Sequence, residues 1–194
     1  DCPEGRSSAT ARRGRVVPSA AGGNRVATQF KKVIIVGGGL VGQTLAAKLA
    51  YDGLDVAVIE SDAGRARDLR EELDVEVLVG NGAKMSVLRE AGVEKAGLVV
   101  AATDSDETNL TAGFVATHVF QVQCVVVRVR DEGHEEGFRA ATANLPGNHT
   151  CVNPDAAAVD HIARLLEVPG SLDVMQFLDG ELLVAAFRIG DGSD

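Results

Sequence analysis

Gly37, Gly39 and Gly42 are spaced as G-x-G-x-x-G, directly after the apolar run Val33-Ile34-Ile35-Val36 and directly before an apolar-periodic stretch. Glycines in that pattern suit a phosphate cradle. Gly37 permits a tight turn out of a strand, Gly39 lets the backbone approach a pyrophosphate, and Gly42 lets the following helix pack closely on the strand. The anion then rests on the free N–H groups around Gly38, Leu40 and Val41, where the helix macrodipole favours negative charge. An ordinary strand-to-helix turn has the same composition, so a second signal matters. The run Val56-Ala57-Val58-Ile59 ends at Glu60, roughly 20 residues further on, where a carboxylate can take both hydroxyls of an adenosine ribose.

Other candidates lie where later strands end. Thr103-Asp104-Ser105-Asp106-Glu107-Thr108-Asn109 reads either as a cation loop or, preferably, as a helix start capped by Ser105 or Asp106. Ligands of open parallel sheets collect at the carboxyl edge, which makes Thr103 and Asp104 cofactor contacts under either reading. The turn Gly80-Asn81-Gly82 places Asn81 at the same edge. Arg128 and Arg130 share side-chain parity on one strand, so they contact a phosphate or carboxylate, or else lean on acidic neighbours. His118, His134, His149 and His161 show no ligand spacing, and no metal site is expected. Cys2, Cys124 and Cys151 are far apart and outside any CxxC, which favours reduced thiols.

The elements that must position these residues alternate strand and helix from Lys32 onward, the pattern of βαβ units and a doubly wound, Rossmann-like parallel sheet. Strands are expected at 32–36, 56–60, 75–79, 98–102, 124–129 and up to Val152. The first helix puts Leu45, Ala46 and Leu49 on one face, and Asp62 caps a second that turns Leu69 and Leu73 inward. A helix starting at Asp155 carries Val159, Ile162, Ala163 and Leu166 at i, i+3, i+4, i+7, and is expected to close the domain and offer a stripe to a second copy. After Pro169-Gly170, runs 172–178 and 181–189 flank Asp179-Gly180 as a hairpin. A lone hairpin is marginal, so the chain reads as part of a longer protein. The expected organisation is a disordered tail or expression remnant over 1–31, a nucleotide-binding domain over 32–153, a linking helix over 154–168, and the start of a C-terminal subdomain over 169–194.

Composition narrows the partners. The 194-residue chain carries a net charge of −9, but its first thirty residues hold five Arg against Asp1 and Glu4, so the rest carries 14 basic and 26 acidic residues, or −12. An acidic body with no Trp and one Tyr argues against a nucleic acid partner and against a basic membrane-surface helix. No apolar run reaches bilayer-spanning length, so direct membrane insertion is not expected and any membrane role comes through a partner.

From about Lys32 onward the chain resembles the nucleotide-binding regulatory subunits of bacterial potassium uptake systems, the TrkA/KtrA group with its RCK or KTN domain. The resemblance rests on Ile35-Val36-Gly37-Gly38-Gly39-Leu40-Val41-Gly42, Val58-Ile59-Glu60, Leu88-Arg89-Glu90-Ala91-Gly92 and Thr103-Asp104-Ser105-Asp106-Glu107-Thr108-Asn109. Asn153-Pro154-Asp155 and Val168-Pro169-Gly170-Ser171-Leu172 look like the family's passage into its C-terminal subdomain. The resemblance implies a non-enzymatic cytosolic subunit that binds NAD(H), or in some relatives ATP and ADP. It also implies that the subunit gates a membrane potassium transporter at the inner face of the plasma membrane, as a homo-oligomer paired through the helix after Pro154. By motif position, Gly37 to Val41 hold the pyrophosphate, Glu60 the adenosine ribose, Thr103 and Asp104 the far edge of the nucleotide, and Arg128 a charged group on it. ATP-gated relatives often carry Arg where this chain has Leu40, which favours NAD(H). The rival is an NAD-dependent dehydrogenase domain, for which acid and base candidates are poor: Tyr51 is the one tyrosine, and no Lys follows it four residues later. A nucleotide sensor of another channel or transporter is the third reading.

Overall fold

The computed structural model describes residues 30–177 and 182–188. Six strands form one parallel sheet: β1 (Lys32–Val36), β2 (Asp55–Glu60), β3 (Glu76–Val79), β4 (Leu98–Ala101), β5 (Cys124–Arg128) and β6 (Asn148–Val152), in the order β3-β2-β1-β4-β5-β6. The central strands are apolar throughout because both of their faces are covered. Ile34 and Val36 of β1 pack with Ile59, Val99, Leu88 and Phe138 on one face, whereas Val33 and Ile35 pack with Val58, Ala46, Ala66 and Leu69 on the other. Each fully buried Ile or Leu contributes about 1.5–3 kcal/mol from water exclusion alone. β1 is in register with both neighbours, Val36 lying opposite Ile59 of β2 and Ala101 of β4. Three strand ends therefore meet at one point of the carboxyl edge.

The helices are α1 (Leu40–Tyr51), α2 (Ala63–Glu72), α3 (Met85–Glu90), α4 (Asp106–Phe114), α5 (Glu132–Thr142) and α6 (Pro154–Glu167). Local chemistry starts several of them. Asp62 accepts from Arg65 N–H at 2.7 Å, Ser105 from Thr108 N–H at 3.1 Å, and Asp131 from His134 N–H at 2.9 Å. α6 begins one residue earlier than its pattern suggests: Pro154 sits in its first turn, where a missing N–H costs nothing, and Asn153 caps the helix by accepting from Asp155 and Ala156. β3 starts at Glu76 and β4 ends at Ala101, each one residue inside the expected span. Leu73 is the C-cap of α2, half-buried against the same core face as Leu69.

Three features depart further from the sequence reading. Phe30, which falls in the expected tail, is half-buried against the core at Gly97. α4 continues into a π-helical turn over Val115–Val119. α6 does not close the sheet: it contains no buried residue, with Val159, Ile162 and Leu166 exposed to 65%, 57% and 75%. After it, β7 (Asp173–Phe177) and β8 (Leu182–Ala186) pair antiparallel, and the Asp179-Gly180 turn expected between them lies outside the described residues. The tail expected over 1–31 lies outside them up to residue 29. Among the described residues, no helix is long and apolar enough to cross a membrane.

Candidate functional site

A cleft of about 230 Å³ opens at the carboxyl edge where β1, β2 and β4 end. Its floor is the glycine loop. Gly37 leaves β1 with φ +102°, in the left-handed region, and donates its N–H to Ile59 O at 2.8 Å. A Cβ at Gly37 would stand 2.9 Å from Thr103 N, so the loop presses directly on the segment after β4. At Gly42 an added methyl would collide with the Gly37 carbonyl oxygen, which is why α1 can start so close to the strand. Gly39 differs from both: nothing lies within 4 Å of where its Cβ would be. It is the N-cap of α1 without any side-chain cap, and the first intrahelical donor is Gln43, whose N–H reaches Gly39 O at 2.8 Å. The amides of Leu40, Val41 and Gly42 therefore stand at an open, dipole-positive helix end. The Leu40 and Val41 side chains point into solvent.

Glu60 closes one side of the cleft, only 3% exposed. Its Oε2 accepts from Gly38 N–H at 2.7 Å, and its Oε1 accepts from Asp62 N–H at 2.8 Å and from the Ser61 hydroxyl at 3.3 Å. Arg65 Nη1 approaches Oε2 at 3.5 Å. Burial pushes the Glu60 carboxyl up, but donation from Asp62 and Gly38, the Arg65 charge and the Ser61 hydroxyl outweigh it and hold the group below its ordinary value. It is thus an ionised acceptor fixed in place by backbone. The Gly80-Asn81-Gly82 turn forms another wall: Asn81 Oδ1 accepts from Ala83 N–H at 2.8 Å, and a methyl at Gly82 would collide with Val36.

The opposite side is Thr103-Asp104-Ser105, held by a residue whose part was not apparent from sequence. Asn109 is fully buried on α4. Its Oδ1 accepts from Thr103 N–H at 2.8 Å and from the Thr103 hydroxyl at 2.7 Å, while its Nδ2 donates to Thr103 O at 3.1 Å and to Arg128 O at 2.9 Å. One amide side chain thereby ties the loop after β4 to the end of β5. A similar tie follows: Asp106 Oδ2 accepts from Arg130 and Asp131 N–H at 2.8 and 3.0 Å, and Asn153 Nδ2 donates to Arg130 O at 3.0 Å. The only sequence signal for these ties is an Asn or Asp in the first turns of a helix, which is equally at home on a surface.

Of the sequence candidates, Gly37, Gly39, Glu60, Asn81, Thr103 and Asp104 line the cleft together. Gly38 and Leu40 border a neighbouring groove of about 250 Å³ between α1 and α2. Val41 and Gly42 contribute through their place at the start of α1. Arg128 does not line the cleft. Its mostly buried guanidinium lies beneath Thr103, with Nη1 3.4 Å from Thr103 O and 3.9 Å from Asp104 Oδ1. Arg130 rests 3.7 Å from Asp155. Among the described residues, no three His, Cys, Asp or Glu side chains converge as a metal site. Cys124 and Cys151 are free thiols, and burial pushes the Cys151 thiol up to about 11.

Comparison with known proteins agrees with this architecture. The TrkA-N domain family model matches residues 33–147. The Trk system potassium uptake protein TrkA of Halomonas elongata is 38% identical over 159 residues, covering 81% of this chain and 34% of that protein. A TrkA homolog from Methanothermobacter thermautotrophicus is 33% identical over 171 residues, covering 83% of this chain and 76% of that protein. The solved structure of the GsuK channel bound to NAD superposes with a TM-score of 0.60 at 20% identity, over 76% of this chain and 25% of the channel, a likeness of fold. The chain spans about a third of the length of the Halomonas protein.

Proposed function

Because the chain belongs to the TrkA-N domain family, we propose that it is the nucleotide-binding regulatory module of a potassium uptake system, with NAD(H) as its ligand. The observation that carries this reading is the open space at Gly39 beside the unpaired amides of Leu40, Val41 and Gly42. A pyrophosphate fits there and meets both donors and dipole. Glu60 receives the adenosine ribose hydroxyls on the lone pairs that Gly38 and Asp62 leave free. Thr103 and Asp104 face the far part of the dinucleotide, with Asn81 on the third wall. Arg128 acts beneath them as a positioning residue that steadies the Thr103 carbonyl.

The regulatory character is supported by how the cleft is joined to α6. Thr103 is tied to β5 through Asn109, and β5 to the start of α6 through Asp106, Arg130 and Asn153. The exposed stripe Val159, Ile162, Ala163 and Leu166 on α6 then pairs with a second copy, and the homo-oligomer acts on a membrane potassium transporter subunit from the cytoplasmic side. A dehydrogenase would need a positioned acid or base: none of the cleft's lining residues is His, Tyr, Lys or Cys, and its two carboxylates are Glu60, already held by the Gly38 and Asp62 amides, and the exposed Asp104. Tyr51 is 89% exposed at the last residue of α1. Mass spectrometry of the nucleotide released from denatured, purified protein tests the ligand: NAD+ or NADH supports the proposal, and ATP or ADP alone overturns it.

A further inference from the structure

A doubly wound sheet can seat one mononucleotide on each of its halves, on either side of the point where the strand order reverses, here between β1 and β4. The two halves of this sheet differ in what they leave free. On the β1-β2-β3 half, the amides of Leu40, Val41 and Gly42 have no intrahelical partner, and Glu60 keeps lone pairs beyond those that Gly38 and Asp62 occupy. On the β4-β5-β6 half, the corresponding groups are engaged within the chain. Asn109 accepts from the Thr103 N–H and hydroxyl and donates to the Thr103 and Arg128 carbonyls. Asp106 accepts from the Arg130 N–H at 2.8 Å, and Asn153 donates to the Arg130 carbonyl at 3.0 Å. Among the described residues, none after Thr108 lines the cleft. Its volume of about 230 Å³ is also small, since sites that enclose a drug-sized ligand measure about 300–1,000 Å³. Such a space suits one half of a dinucleotide.

We infer that the cleft reads only the ADP moiety of NAD(H) and leaves the nicotinamide in solvent, so that this chain binds NAD+, NADH and ADP-ribose alike. This inference deepens the proposed function and rests on it. Reading the nicotinamide ring would take a hydrogen-bonding partner for its carboxamide, a wall that excludes water, or a charge that senses the pyridinium of NAD+. The engaged groups of Thr103, Arg128 and Arg130 supply no carboxamide partner. No wall continues past Thr108 among the described residues. The charge at that end of the cleft is the Asp104 carboxylate, which stands 94% exposed and 3.9 Å from Arg128 Nη1. Water and the guanidinium together screen it, so the positive ring of NAD+ meets little net field. A ring that keeps its hydration on binding contributes equally little in either oxidation state, and its absence from ADP-ribose costs equally little.

Calorimetric titration of NAD+, NADH and ADP-ribose into the wild-type chain and Glu60→Ala tests this, with circular dichroism confirming the fold of each protein. The three dissociation constants of the wild type should agree within about threefold. Glu60→Ala should weaken all three by the same factor, because all three carry the adenosine ribose. The chain has no Trp, so the fluorescence of bound NADH reports the surroundings of its ring without energy transfer from the protein, and its emission maximum should stay at that of free NADH. A spread beyond about threefold among the three ligands, unequal losses in Glu60→Ala, or a blue-shifted NADH emission overturns the inference while leaving NADH binding by the wild type intact. A wild type that binds none of the three overturns the proposed function and this inference together. If Glu60→Ala does not fold, Glu60→Gln replaces it under the same criteria.

Discussion

Truncating Glu60 to alanine tests stability and binding at once. The carboxylate is 3% exposed and accepts two backbone N–H groups at 2.7 and 2.8 Å, so Glu60→Ala strips both amides of a charged acceptor. A hydrogen bond to a charged group contributes about 1.5–3 kcal/mol. The change also relieves the carboxylate's own burial, while the half-exposed Arg65 pair contributes little. The net destabilisation is then about 2–3 kcal/mol at neutral pH, or roughly 4–12 °C in Tm for a domain of this size. Its pH dependence has a definite sign. Because the folded-state carboxyl lies below its ordinary value of 4.5, the stabilisation is fully present above that pH and fades as pH falls through the lower folded value. Thermal melts of both proteins should therefore show their widest gap near pH 7 and a narrowing gap as pH drops below about 4.5. NADH affinity should fall by about 1–3 kcal/mol with the loss of the ribose contact. Equal melting temperatures at pH 7, or a gap that widens in acid, would refute the reasoning about how Glu60 is held.

Two further outcomes follow from the same geometry. Asn109→Ala leaves Thr103 N–H and the Arg128 carbonyl without their buried partner and should cost about 2–4 kcal/mol in denaturant titration, since each buried orphan costs about 1–3 kcal/mol; unchanged stability would mean that water replaces the amide without loss. Ile162→Asp lies on a helix with no buried residue, so the variant should stay folded by circular dichroism and sediment as a monomer, whereas the wild type should sediment as a dimer or larger. A folded dimer in that variant would show that the α6 stripe is not the pairing surface.

The sheet was legible in sequence because burial on both faces leaves unbroken apolar runs, as in Val33 to Val36 and Leu98 to Ala101. Helix starts at Asp62 and Ser105 were legible too, since capping depends on near neighbours. Gly37 and Gly42 behave as their spacing suggests. What sequence did not disclose depends on contacts between distant segments. Asn109 meets the Arg128 carbonyl 19 residues away, and nothing in a helix pattern distinguishes it from a surface amide. Arg128 shares strand parity with Arg130, yet its guanidinium runs under Thr103 and not into the cleft, because the loop after β4 folds over it. The apolar spacing of α6 has the same appearance whether the stripe meets its own sheet or stands in solvent. The π-helical turn at Val115–Val119 has no local signature of this kind.

The central claim is that the open end of α1 receives the pyrophosphate of NAD(H), and Gly39→Val tests it most directly. The backbone there is extended, with φ −69° and ψ −173°, and the Cβ position is clear of protein, so valine is tolerated by the fold while its side chain enters the space assigned to the ligand. Titration of NADH into wild type and variant, with circular dichroism on the same samples, should show binding by the wild type and none by an equally folded Gly39→Val. Equal NADH affinity in the two proteins would contradict the account and leave the glycine loop as a turn.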